Sequence, residues 1–165
     1  MKQLISLSLV LTASMVAYPS DVLAQSKMTL ACTAIGGNAP EVLDSKQGHS
    51  VSNNDFVCRI DGGLLDNGWA TGHQVYEFVG PKGVGRAGMG VARHPNGVAV
   101  WVNEVMTNDL QLQDGKVAGF HATGKGRYTM ASGAAKELDG RTYSYVARPT
   151  GPGQFDIDVT VDEKR

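Results

Sequence analysis

The chain has 165 residues and near-balanced charge, 15 basic against 16 acidic side chains for a net of −1. That length suits one domain with a sizeable core, and that balance gives no basis for binding nucleic acid or an anionic membrane. Glycine is abundant, at 21 residues, and no second apolar span follows the first.

Residues 1–24 have the layout of a cleaved secretory signal peptide. Lys2 supplies the positive start, Leu4 to Ala17 the apolar run, and Val22 to Ala24 the small-residue cleavage pattern. The run is short for a membrane span, so no transmembrane segment is expected after cleavage. A lipoprotein reading at Cys32 lacks the usual leucine three residues earlier. Cleavage after Ala24 removes Lys2 and Asp21 together and leaves the net charge at −1. The expected product, residues 25–165, is one exported domain, periplasmic or secreted.

Both cysteines, Cys32 and Cys58, lie in that product. In an oxidising compartment two cysteines at this separation are expected to form one disulfide, stabilising by roughly 3 kcal/mol in the chain-entropy picture. No Cys-x-x-Cys pair or nearby histidine cluster supports a reactive or metal-binding thiol.

In chain order, Lys27 to Ile35 is a first strand, and the polar, aperiodic stretch Glu41 to Asn54 is expected to be a long loop with its base pinned by the disulfide. A strand over Phe56 to Ile60 follows. Trp69 to Gly80 is a clearer one, with Tyr76 and Phe78 on one face and Val75, Glu77 and Val79 on the other. Val84 to Arg93 alternates despite its glycines, and His94 to Gly97 is a tight turn. Val98 to Val105 has the strongest β propensity. Leu110 to Gln113, Lys116 to Thr123, Gly126 to Ser132, Arg141 to Arg148 and Gln154 to Val161 complete the series, with Asp114 and Gly115 signalling a hairpin. Period two governs almost everything after Trp69. The predicted class is all-β: a small antiparallel, meander-like barrel of about eight strands, with a two-sheet sandwich as the alternative.

Two glycine motifs invite nucleotide readings, and both fail on context. Gly83, Gly85 and Gly88 match the dinucleotide spacing, but no helix can follow before His94 and Pro95. Gly119 to Lys125 approximates a phosphate loop, but Gly126 stands where the hydroxyl for magnesium belongs. No cofactor is expected. None of His49, His73, His94 and His121 pairs at ligand spacing, so no metal is expected either.

Two residues remain as candidates for proton transfer. Glu104 is in phase with Val98, Val100 and Val102; inside the barrel its pKa would rise, and at a strand end it would simply be hydrated. His121 shares its phase with Val117 and Gly119 and is expected either to point into the barrel or to be a structural histidine.

Gly124, Gly126, Tyr128, Ala131 and Gly133 resemble the glycine-rich strand of allene oxide cyclase and dirigent-type barrels. The likeness covers the last third of the chain. It implies an eight-stranded antiparallel barrel with an apolar central cavity and assembly as a homo-oligomer, and it carries over no catalytic residue. The expected function is non-enzymatic binding of a small apolar ligand or a partner protein in the cell envelope. The alternative is a cyclase- or isomerase-like enzyme using Glu104 or His121.

Overall fold

The computed structural model describes residues 26–36, 40–46 and 48–163. The signal-peptide reading of residues 1–24 lies outside them.

Nine strands run through the described residues. They are β1 (Lys27–Gly36), β2 (Glu41–Asp44), β3 (His49–Asp61), β4 (Trp69–Val79), β5 (Lys82–His94), β6 (Gly97–Gln113), β7 (Lys116–Gly133), β8 (Thr142–Gly151) and β9 (Gln154–Val161). Every pairing is antiparallel, and from β3 to β9 each strand pairs with the next. Closure comes from β1, which pairs with β9 on one side and β3 on the other. The result is a closed eight-stranded barrel with β2 as an extra strand on the free first half of β3. This is the predicted barrel rather than the sandwich, and closure removes most of the sheet's free edge.

The disulfide joins Cys32 to Cys58, which stand directly opposite each other across the β1–β3 seam. Both are buried, so the covalent link sits inside the seam that closes the barrel.

The segment Glu41 to Asn54, expected to be a loop, is instead β2 and the first half of β3. Its inward positions Ser52 and Asn54 are polar because they face an open barrel end, which hides the alternation that marks an ordinary half-buried strand. Four expected segments also merge into two. β6 spans 17 residues and β7 spans 18, and bulges along their shared ladder supply the breaks that read as separate strands. Their hairpin turns at Asp114 and Gly115, with φ of 53° and 74°, the two positive values a type I′ turn requires. Both rejected glycine motifs lie wholly within strands, in β5 and β7.

Inside the barrel, glycines and aromatic rings pair across the ladders. Phe56 faces Gly72, Phe78 faces Gly83, Trp101 faces Gly90, Tyr143 faces Gly126 and Tyr145 faces Gly124. A side chain at any of these glycines would run into the facing ring. The bare backbone is therefore the floor on which each ring lies. Gly126 is the tightest of them against backbone: a Cβ there would stand 2.2 Å from the Val102 carbonyl oxygen and 2.5 Å from the Tyr143 hydroxyl. Gly126→Ala is expected to lower stability by about 1–3 kcal/mol, the usual range for overpacking a tight core. A urea melt checks this; an unchanged midpoint would show that the β6–β7–β8 ladder yields.

The two barrel ends differ. After β3 a 3₁₀ turn at Gly63–Leu65, and after β7 another at Lys136–Leu138, drive Leu65 and Leu138 into complete burial. Both turns lie at the end where β1 begins and β9 finishes, and they plug it. At the opposite end β7 runs on past the end of its pairing with β8, and among the described residues no such turn covers the opening.

Candidate functional site

Strand alternation decides what faces the barrel interior near the open end. β3 and β4 contribute a polar wall, with Ser52 opposite Tyr76 and Asn54 opposite Gln74. The facing wall is apolar: Phe120 and Ala122 from β7, Ala147 from β8, Phe155 and Ile157 from β9. Phe155 holds this wall together, stacking edge-on with Phe56 at 5.6 Å and Phe120 at 6.0 Å between ring centres. Between the walls lies a cavity of about 490 Å³, within the range of small-molecule sites. Deeper in, a chamber of about 40 Å³ shares Gln74, Tyr145 and Ile157 with it, room for one or two waters. Among the described residues no charged side chain lines either space.

Tyr76, Tyr128, Tyr143 and Tyr145 all face this interior and are buried. Burial pushes the phenols of Tyr128, Tyr143 and Tyr145 well above the ordinary tyrosine range, because the charged form would lose its water. Tyr76 is also raised by burial, with Tyr145 partly offsetting the shift. Tyr143 donates to Asn103 Oδ1 at 2.6 Å and to the Val102 carbonyl at 3.2 Å. The hydroxyls of Tyr76 and Tyr145 have no partner beyond each other, the amide oxygen of Asn108 is buried without a hydrogen-bond partner, and all three residues line the larger cavity.

The two proton-transfer candidates are not part of this site. Val98 is exposed while Ala99 is buried, so the valine face of β6 is the outer one, and Glu104 lies on it at a bulge. Its Oε1 lies 2.8 Å from Arg127 Nη1, an exposed ion pair that matches the hydrated reading of this residue. His121 is exposed and sits opposite Asp109. A bulge at Ala118 shifts the parity of β7, so Phe120 and Ala122 face inward in its place. The other histidines are also peripheral. His49 bonds Glu77 at 2.6 Å, His73 bonds Asp55 at 2.7 Å, and the His94 ring accepts from the Asn96 backbone in its turn. Among the described residues no three His, Cys, Asp or Glu side chains gather as a metal site.

The outer surface carries charge. Arg148 pairs with Asp158, Lys82 with Asp109, and Glu77 with Arg86, whose guanidinium joins His49 in holding the Glu77 carboxyl below its usual range. Between these pairs the same surface also exposes apolar side chains, among them Val79, Val84, Met89, Val105 and Met130. Among the described residues no helix is long and apolar enough to cross a membrane.

No protein-family model and no curated protein matches this chain.

The polar half of the cavity wall escaped sequence reasoning because its residues are of types common in loops. One signal was available. Ser52 and Asn54 keep the phase of Phe56 and Cys58, so the inward face of β3 runs on unbroken into the supposed loop.

Proposed function

We propose that this is an exported, non-enzymatic barrel, periplasmic or secreted, that binds a small apolar ligand in its open end. The observation that carries the reading is the 490 Å³ cavity, open at one end of a barrel plugged at the other by Leu65 and Leu138. A blind, uncharged, ring-lined space lowers the free energy of an apolar guest by removing it from water. The buried Cys32–Cys58 disulfide is compatible with export. Kinship with the allene oxide cyclase and dirigent barrels remains part of the proposal, resting on the glycine-rich strand.

Titration with a neutral, environment-sensitive phenylnaphthylamine dye tests the reading. The parent protein is expected to bind the dye saturably. Leu110→Arg, which places a charge in the wall, is expected to weaken binding at least about tenfold, since burying a leucine-sized apolar surface contributes roughly 1.5–3 kcal/mol. Undiminished affinity in a variant that melts like the parent would remove the open end as the site.

A further inference from the structure

The cavity specifies more about its occupant than apolarity. Tyr76 is 4% exposed and Tyr145 6%, yet apart from each other their hydroxyls have no partner, and the amide oxygen of Asn108 is buried and unpaired. They come from three strands, β4, β8 and β6, and all face the same space. The two phenols are close enough that each affects the other's ionisation. A buried polar group without a partner costs about 1–3 kcal/mol, so an unpaired amide oxygen and two phenols that have only each other are a standing penalty that a suitable guest would relieve. The donors and acceptor are complementary to a single oxygen-bearing head. Two phenol O–H groups can donate to one carbonyl or hydroxyl oxygen, and the Asn108 oxygen can accept from a hydroxyl. An ionised head is a poor fit, because among the described residues no side chain of opposite charge lines the space and an unpaired buried charge is costly.

We infer that the ligand is an uncharged amphiphile, an apolar body bearing a carbonyl or hydroxyl group that docks between Tyr76, Tyr145 and Asn108. This rests on reading the open end as a ligand site. The Phe120, Phe155 and Ile157 wall takes the body, and the polar group sets its register and depth. The binding step is non-covalent.

The test is displacement of the bound phenylnaphthylamine dye by a matched series: decane, decanol, methyl octyl ketone, decanoate and decylammonium at neutral pH. Each is run against the parent protein, Tyr76→Phe and Tyr145→Phe. Each substitution removes a hydroxyl whose one neighbouring polar group in the free protein is the other phenol, so both variants are expected to melt close to the parent. Each is expected to weaken decanol and the ketone by about three- to tenfold, the share of one neutral hydrogen bond, and to leave decane unchanged. Decanoate and decylammonium are expected to bind the parent at least about tenfold more weakly than decanol. Equal losses for decane and decanol, or no loss for decanol, would overturn the head-group assignment while leaving the apolar pocket intact. Decanoate or decylammonium binding as tightly as decanol would overturn the requirement for neutrality. Failure of the dye and the whole series to bind the parent would overturn the ligand-site reading itself, and this inference with it.

Discussion

Raising the pH is expected to unfold this protein in one cooperative step, with its tyrosines ionising only as the barrel opens. Of five tyrosines, Tyr18 belongs to the segment read as a leader, and the other four all face the barrel interior. Burial holds the phenols of Tyr128, Tyr143 and Tyr145 far above the ordinary value of 10.0 and raises Tyr76 as well. The sign follows from linkage. A phenol whose folded pKa exceeds its unfolded value contributes stability that is fully present below about pH 10 and is lost as pH rises toward the folded value, because only the unfolded chain releases the proton. Each such group removes about 1.4 kcal/mol per pH unit above 10, and Tyr128, Tyr143 and Tyr145 together remove about 4 kcal/mol per unit. Against a typical domain stability of about 5–15 kcal/mol, the fold should be gone by about pH 12 to 13. Near-ultraviolet tyrosinate absorbance and β-sheet circular dichroism, followed together in protein lacking residues 1–24, check this. Phenols that titrate smoothly around pH 10 with the dichroism unchanged would show that the interior is wet.

Removing the disulfide is expected to cost about 3.5 kcal/mol. That is the chain-entropy value for a loop with a sequence separation of 26. Cys32→Ala/Cys58→Ala should show it as a lowered urea midpoint, with a slope somewhat steeper because the unlinked unfolded chain is more expanded. The location of the bond makes a second, sharper expectation. Cys32 and Cys58 are 3% and 2% exposed, so a reductant alone should leave the native bond intact, and reduction should require denaturant. Rapid reduction of the folded protein would mean that the β1–β3 seam opens locally, and the cost of losing the bond would then be smaller.

Much of the barrel was legible from alternation. Phe155, Ile157, Val159 and Val161 face inward as their spacing demands, and so do Tyr76 and Phe78. Legibility failed in two places, for two physical reasons. Bulges in the β6–β7 ladder change the parity of a strand without changing its composition, and for that reason His121 could be placed inside when it lies outside. The other failure was β3, where inward residues are polar because they line a cavity instead of a packed core. The glycines carried the reverse lesson. Gly83 and Gly124 fell in spacings that resembled nucleotide motifs, but opposite them, as opposite Gly72, Gly90 and Gly126, stands an aromatic side chain whose pairing only the register reveals. Function was least legible, because the groups that define the site come from β3, β4, β6, β7, β8 and β9 and share no sequence motif.

The closing seam also fixes an orientation. The backbone N–H of Val161 donates to the Ser26 carbonyl at 3.0 Å, so the first and last described strands meet at the plugged end, beneath Leu65 and Leu138. The described fold therefore begins at Ser26 and its last strand finishes at Val161 on the face opposite the opening. A surface fixed directly at either of these points would hold the barrel like a cup by its base, with its mouth turned toward the solution.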